Sequence, residues 1–429
     1  MGSVGPPLAA TQSKKTLPPL HSVLPPLLLG TATFNYQYVS DPHNPEVLPA
    51  LSIVTRTLEL GISAFDTSPY YGPSETILGQ ALTHPSNAAK YPRDSYFLVT
   101  KAGRVGPNEF DYSPEWIRYS VYRSLERLGG GGKGKDSTCS HLDLVYLHDC
   151  EFVSPEEVLA AVAELRRLRD EEGLVRYVGI SGYPVDTLCD LAARVKSTSP
   201  NNEPLDAVLS YGHYTLQNNT LGTPRIHARF EHEAGVDCVL NASMLGMGLL
   251  TTRGADAGPM AAWHPSPEGL RKAVRTLVGL AAAADERLEV VAIRWAMDNW
   301  AREGASKGGS SPWLLPKGTR AGVNVMGVAT VAELEETYRV FRSVIEGYNP
   351  DSSGSNEELA QKHDWSLERR DKIQKLVERM WDALGEWKDY SWESPDPGFV
   401  NERKPEDRGV VPQDDGIMEK YSKRKQQLG

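Results

Sequence analysis

Four residues of this chain have types that could together run acid–base chemistry without a metal. Asp66 closes a short apolar run and is followed by Ser68-Pro69-Tyr70-Tyr71-Gly72, which puts Tyr71 five residues on. Lys101 follows the run Tyr96–Thr100, and His148 ends the run Leu142–His148, with Asp149 next. A tyrosine hydroxyl titrates near ~10 when unperturbed, and a neighbouring ammonium favours the phenolate. Lys101 can supply that charge, Asp66 can hold Lys101 by an ion pair, and His148 can orient a substrate oxygen. Such a set acts as a general acid/base near neutral pH.

Each residue also has a plain structural reading. Asp66 can cap a turn, Tyr71 can pack in a Pro/Gly turn, Lys101 can be a solvated lysine, and His148 can be a satisfied core histidine. Position argues against four separate accidents, because the residues fall at the ends of three successive strand-like runs.

The elements that must bring them together follow a regular rhythm. Short, nearly continuous apolar runs occur at Leu28–Thr33, Ser63–Thr67, Tyr96–Thr100, Leu142–His148, Tyr177–Ser181, Ala207–Tyr211, Cys238–Ser243 and Val323–Gly327. Runs of this kind suit parallel strands covered on both faces. Between them lie amphipathic stretches. Pro155–Glu172 opens with Pro and acids, ends before Gly173, and places Val158, Leu159, Val162, Leu165 and Leu168 on one helical face. Pro114–Leu128, Val185–Lys196, Leu288–Trp300 and Val331–Glu346 behave similarly. Eight strands alternating with helices predict an α/β fold, a closed (β/α)8 TIM barrel with a C-terminal helical extension, whose active site lies at the C-terminal ends of the strands. No GxGxxG follows the first strand, which counts against a Rossmann domain.

The expected organisation is a loose N-terminal arm over 1–26, the barrel over 27–347, a helix and loop packed on the barrel over 348–400, and a charged, disordered tail over 401–429. Two segments interrupt the rhythm. Gly129–Ser140 is a Gly/Lys linker, and Glu303–Gly322 is either a lid or decoration. A helix is expected near Leu367–Trp387.

Composition narrows the function classes. The 429 residues carry a formal net charge of −10, which gives no basic excess for phosphate backbones, so nucleic acid is not an expected partner. Glycine (38) and proline (30) together stay well below the share that marks low-complexity chains. The four cysteines Cys139, Cys150, Cys189 and Cys238 form no CxxC pair and fit a reduced compartment. Val23–Leu29 is too short, and too interrupted by Pro25-Pro26, for a leader or a membrane span. A cytoplasmic protein, a monomer or weak homo-oligomer, is expected. His213 and His264 lack metal-ligand spacing and HEAG at His232 is not HExxH, so no metal is assigned.

With these residues in place, the chain resembles the aldo-keto reductase superfamily. GISAFDTSPYYGPSETILGQAL is similar to its second-strand signature, and LVTKAGR and LDLVYLHDCEF are similar to its lysine and histidine segments. HDCEF, GISGYP, DAVLSYGHYTL, NASMLGMGLLT, WHPSPEGL and WKDYSWESP resemble the L-galactose and D-arabinose 1-dehydrogenase branch. The likeness spans roughly residues 26–400.

By position, the resemblance implies Asp66, Tyr71, Lys101 and His148 as a catalytic tetrad and a nicotinamide cofactor as hydride acceptor. Gly30 and Thr31, in the first strand, are expected cofactor contacts. The nicotinamide amide is expected near Ser181, with Ser210 and Tyr211 beside it. Ser243, Leu245 and Gly246 belong to the loop Ser243–Leu250, expected to wrap the pyrophosphate with backbone N–H groups. Gly327, Val328, Thr330 and the following helix N-terminus are expected to take the adenosine end.

Two departures stand out. Much of the superfamily carries Asn after the fifth-strand serine, where this chain has Gly182. Glu333 stands where NADP-preferring members carry an arginine for the 2′-phosphate, so NAD is expected over NADP. The alternative for Glu333 is a first-turn acid complementing a helix dipole.

The function implied is oxidation of the C1 hydroxyl of an aldose, of D-arabinose or L-galactose type, to the lactone, with Tyr71 as base. Phe34, Tyr38, Glu151, Phe152 and Trp263 are the expected sugar contacts. The alternatives are an NADP-dependent aldehyde reductase of the same superfamily and a nucleotide-binding regulatory subunit.

Overall fold

Eight parallel strands close into a barrel in strict chain order: β1 (Leu27–Gly30), β2 (Ala64–Asp66), β3 (Phe97–Ala102), β4 (Leu142–His148), β5 (Val175–Gly182), β6 (Ala207–Tyr211), β7 (Cys238–Ala242) and β8 (Val323–Gly327). The computed structural model describes residues 17–131, 137–311, 314–315, 318–348 and 357–428. Closure comes from β8 pairing with β1 through Leu27↔Asn324 to Gly30↔Gly327. All eight expected strands are present, with ends moved by a few residues.

The apolar runs are continuous because each strand is buried on both faces. Leu28, Val99, Leu144, Tyr146, Leu209, Leu240 and Val325 form one cluster inside the barrel, while their strand neighbours Leu29, Leu98, Val145, Leu147, Val208 and Val239 belong to the outer core under the helices. Side chains alternate between these two clusters with the period of two that a strand imposes. The helix Pro114–Leu128 starts where Ser113 accepts the Trp116 N–H with Pro in the first turn. The helix Pro155–Asp170 starts with a capping box between Ser154 and Glu157.

The N-terminal segment departs from the expected loose arm. Residues 1–16 lie outside the described residues, but 17–26 close the bottom of the barrel. Leu20 and Leu24 are buried in the inner cluster, the Tyr177 hydroxyl donates to the Pro18 carbonyl at 2.7 Å, and His21 Nδ1 lies 2.6 Å from Asp237 Oδ1. An inner core lined by strand residues needs an apolar stopper at its open end, and Leu17, Leu20 and Leu24 supply it.

The described part of Glu303–Gly322 lies at the same end. Gly309 pairs with Ala321, and the Ser310 hydroxyl donates to the His21 carbonyl. It is therefore no lid over the strand C-termini. In the Gly/Lys linker, 132–136 lie outside the described residues, as do 349–356.

The C-terminal chain is ordered well past the expected boundary. The helix Glu357–Leu384 buries Ile373, Leu376, Val377, Met380 and Leu384. Beyond it, residues 388–415 pass along the C-terminal ends of the strands, and the helix Ile417–Leu428 stacks Tyr421 on Tyr122 at 4.2 Å. The expected disordered tail is corrected by its anchors: Arg403 to Asp111 at 3.1 Å, Arg408 to Glu157 at 2.9 Å, and the Tyr119 hydroxyl to Asp415 at 2.7 Å. Several of its charges are partnered across the fold, which ties the segment to the barrel. Among the described residues, no helix is long and apolar enough to cross a membrane.

Candidate active site

Strand ends place the four acid–base residues in one mouth. Asp66 is the last residue of β2, Lys101 lies near the end of β3, and His148 is the last residue of β4. Lys101 Nζ donates to Asp66 Oδ1 at 2.6 Å and to the Thr67 carbonyl at 2.9 Å, with both side chains buried. Tyr71 reaches the same point from the turn after β2, whose backbone closes through Tyr71 N–H to the Ser68 carbonyl. Lys101 Nζ sits 4.8 Å from the centre of the Tyr71 ring, and that ring meets His148 edge-on at 5.6 Å.

The electrostatics differ from the simple expectation in one respect. Burial raises the Tyr71 pKa above its ordinary value, and the Lys101 ammonium works against that rise without cancelling it. The phenol is thus less acidic than a free tyrosine, where Lys101 alone would make it more so. Lys101 is also buried, but Asp66 and Tyr71 more than offset that, and its pKa is raised. It stays an ammonium.

Burial pushes His148 down to about 3, so its imidazole is neutral. Its Nδ1 lies 3.0 Å from Ser68 Oγ, which itself accepts the Tyr70 N–H at 3.1 Å. Ser68 Oγ can give its own proton to Nδ1, the arrangement that puts the ring proton on Nε2. A neutral Nε2–H is a donor for a substrate oxygen. Ser68→Ala would release Nδ1 and let both tautomers form. The expected result is an about three- to tenfold fall in kcat/KM with cofactor Kd unchanged, measured by steady-state rates and equilibrium titration.

Ser68 was not legible as a functional residue, because a serine in a Pro/Tyr turn carries no pattern. Arg104 and Asp149 were missed for a similar reason. Gly103, at φ 101 and with no room for a Cβ beside the Tyr112 ring, turns the chain so that Arg104 stands above the site. Its guanidinium lies 3.9 Å from the centre of the Tyr70 ring and pairs with Asp149.

The expected sugar contacts separate into two groups. Tyr38 and Trp263 pack edge-on at 5.5 Å, and Trp263 Nε1–H donates to the Gln37 carbonyl. The Tyr38 hydroxyl is raised in pKa by burial and then by Tyr71 and Tyr70, which places it beside the tetrad. The other three are occupied by the protein itself. Phe34 is fully buried in the outer core, which corrects its assignment as a surface that meets sugar. Phe152 is stacked on Phe110 at 4.7 Å and meets Phe399 edge-on at 4.9 Å. Glu151 accepts the Tyr183 N–H at 3.0 Å and the Ser394 hydroxyl at 2.9 Å, and burial and then Asp149 push its pKa up to about 8. Its Oε2 fills the space over Gly182 that a Cβ would need.

The residues expected to hold a dinucleotide line one side of the same mouth. In the register, His148 faces Ser181 and Gly182 faces Ser210. Ser210 Oγ is buried and unpartnered among the described residues, whereas Ser181 Oγ donates to the Leu147 carbonyl at 3.2 Å. The loop after β7 carries positive φ at Ser243, Gly246, Met247 and Gly248, and Leu245 lies between them. Within it the Gly246 N–H donates to the Ser243 carbonyl and the Gly248 N–H to the Leu245 carbonyl, so the loop is a tight, self-bonded turn. His264 Nε2 fixes that loop through the Gly246 carbonyl at 2.8 Å.

Gly30 packs against Val325 and Met326, and the Thr31 hydroxyl is tied to the Asp66 carbonyl and Ser74, so both shape the floor of the mouth. After β8, Gly327 is exposed, the Val328 carbonyl accepts the Thr33 hydroxyl at 2.6 Å, and Thr330 Oγ1 accepts the Glu333 N–H at 3.1 Å. Glu333 Oε2 in turn accepts the Ala329 N–H at 2.8 Å. The unpartnered Ser210 hydroxyl and the glycine-bearing loop after β7 fit a nicotinamide dinucleotide.

Comparison with known proteins agrees with this geometry. The model of the aldo/keto reductase family matches residues 26–349. D-arabinose 1-dehydrogenase of Saccharomyces cerevisiae is 40% identical over 279 residues, 65% of this chain and 77% of that protein. L-galactose dehydrogenase of Arabidopsis thaliana is 33% identical over 253 residues, 58% of this chain and 70% of that protein. D-threo-aldose 1-dehydrogenase of a Pseudomonas species is 26% identical over 313 residues, 67% of this chain and 87% of that protein.

Proposed function

Because the chain belongs to the aldo/keto reductase family, we propose that it is a nicotinamide-dependent dehydrogenase that oxidises the C1 hydroxyl of an aldose to the lactone. The observation that carries this is the half-buried Tyr71 side chain, whose ring lies 4.8 Å from the Lys101 ammonium and meets the neutral His148 edge-on at 5.6 Å. The names of the similar dehydrogenases supply the substrate class, D-arabinose and L-galactose among aldoses.

A nicotinamide dinucleotide held here would supply the acceptor for the C1 hydride. The chain does the rest. His148 Nε2–H donates to the C1 oxygen and fixes its direction. Tyr71 Oη takes the proton of that hydroxyl as the C–H bond breaks. Lys101 stabilises the phenolate, and Asp66 keeps Lys101 in place and charged. Tyr38 and Trp263 offer aromatic faces to the sugar ring. Ser181, Ser210, Tyr211 and the loop from Ser243 hold the cofactor.

NAD is the preferred form. Glu333 places a carboxylate at the expected adenosine end. The nearby cations are already engaged, Arg56 by Glu335 and Arg287 by Glu336. A 2′-phosphate meets negative charge there. The test is NADH or NADPH appearance with a panel of pentoses and hexoses. The expected outcome is turnover of D-arabinose or L-galactose, with kcat/KM at least about tenfold higher for NAD than for NADP. Equal or better use of NADP would overturn the cofactor assignment, and no turnover of any aldose would overturn the function.

A further inference from the structure

His148 does not sit alone at the end of β4. The next residue, Asp149, is held at φ 57, a left-handed conformation that a non-glycine residue adopts at a cost. This twist aims a buried carboxylate back at the site. One oxygen, Asp149 Oδ2, lies 3.7 Å from His148 Nε2 and is the same atom that pairs with Arg104 Nη1. The other, Oδ1, is buried with no partner among the described residues. His148 Nε2 and Arg104 therefore compete for one oxygen.

Arg104 is built to win that competition. Its Nε donates to the Gly106 carbonyl at 3.3 Å and its Nη2 to the Pro107 carbonyl at 3.0 Å. Its flat face lies 3.9 Å from the centre of the Tyr70 ring, whose own edge meets His148 at 5.7 Å. Three anchors and a stacking surface fix the guanidinium before any substrate arrives.

We propose that Arg104 is a positioning residue for His148: by holding Asp149 Oδ2 it keeps that carboxylate from capturing the Nε2 proton, which stays available to the sugar oxygen. The inference rests on the reading of His148 as the substrate-orienting donor. The charged and titratable groups facing the ring are Asp149 beside it, Lys101 and Arg104 from β3 and its loop, and Tyr70 and Tyr71 from the turn after β2. Burial is the largest influence on the ring, Asp149 opposes it, and the two cations reinforce it. Removing the cation nearest Asp149 therefore moves the balance toward a charged imidazole bound to Asp149.

The experiment uses the full chain without ligand and then with NAD and sugar. In the parent protein the His148 ring signal, assigned by its loss in His148→Gln, is expected not to titrate above pH 5. In Arg104→Met its titration is expected to move upward from that of the parent protein, while burial and Lys101 still hold it below the ordinary histidine value. The same variant is expected to lose about tenfold in kcat/KM for the aldose near pH 7, with NAD Kd within about twofold. Adding Asp149→Asn to Arg104→Met removes the competitor and returns both readouts toward the parent. Asparagine tolerates the left-handed backbone at 149, so this rescue is conformationally permitted.

Arg104→Gln keeps a donor for the loop carbonyls and takes the place of the methionine variant where that does not fold. An unmoved His148 titration, or a rate loss that Asp149→Asn does not rescue, overturns the proposal. Absence of aldose turnover in the parent protein overturns the functional reading instead, and the ligand-free titration still tests the electrostatic competition.

Discussion

Tyr71→Phe is expected to lower kcat for aldose oxidation by about a thousandfold while leaving the fold and NAD binding intact, since a positioned general base contributes about 10²–10⁴. The substitution removes one oxygen and keeps the ring that packs against His148 at 5.6 Å, so it opens no cavity in the core. Lys101 retains Asp66 and the Thr67 carbonyl as partners. The loss therefore reports proton transfer rather than folding. Tyr70→Phe is the matched control. Among the described residues the Tyr70 hydroxyl meets only Gln37, at 3.5 Å, and its loss is expected to cost at most a few-fold. Circular dichroism and NAD titration check the first variant, and steady-state rates compare the two. A Tyr71→Phe enzyme that kept a tenth of its activity would have another base.

The barrel was legible because its strands are buried on both faces. Continuous runs such as Leu142–His148 advertise themselves, and a reactive residue at such a run's end is conspicuous in a fold whose site lies there. This is why Asp66, Tyr71, Lys101 and His148 could be expected in one mouth from the sequence. What escaped depends on partners far away in sequence. The segment 401–428 looks disordered by composition, yet Arg403, Arg408 and Tyr421 find Asp111, Glu157 and Glu126, which lie 292, 251 and 295 residues back. The stopper from Leu17 to Leu24 hides in a proline-rich stretch, because nothing local says that a barrel end needs closing. Ser68, Arg104 and Asp149 carry no spacing signal, and they act only through the geometry that the turn after β2 and the loop after β3 create. Phe34 was assigned from residue type alone, and burial decides such cases.

The direction of the Tyr71 shift was misjudged for the same reason. A lysine nearby predicts an acidified phenol, but how deeply the phenol is buried cannot be read from neighbours in sequence. The consequence is a pH dependence. Oxidation needs the phenolate, and a raised pKa means a smaller phenolate fraction at any pH below it. The rate of aldose oxidation is therefore expected to rise about tenfold per pH unit through the neutral range and to level only at or above about pH 10.

Lys101→Met tests both the source of that profile and the integrity of the site. The ammonium is the group that lowers the Tyr71 pKa, so its removal moves the rising limb to still higher pH and cuts kcat near pH 7 by about a hundredfold or more. It also strands the Asp66 carboxylate, whose Oδ1 lies 2.6 Å from Lys101 Nζ and whose Oδ2 has no partner among the described residues. Breaking a buried pair from one side costs about 3–5 kcal/mol, which denaturant unfolding would read. The two effects separate in Asp66→Asn/Lys101→Met, which leaves no unpaired charge. That double variant is expected to recover most of the stability and none of the rate. The sign of the linkage keeps the measurement clean: the Lys101 pKa is raised in the folded protein, so its stabilisation is complete below the ordinary lysine value of about 10.4 and is lost only as pH climbs through the folded value. A rising limb below pH 10 thus reports Tyr71 and not unfolding. If the double variant instead regained rate along with stability, Lys101 would be a structural partner of Asp66 alone, and the phenolate would need another source of stabilisation.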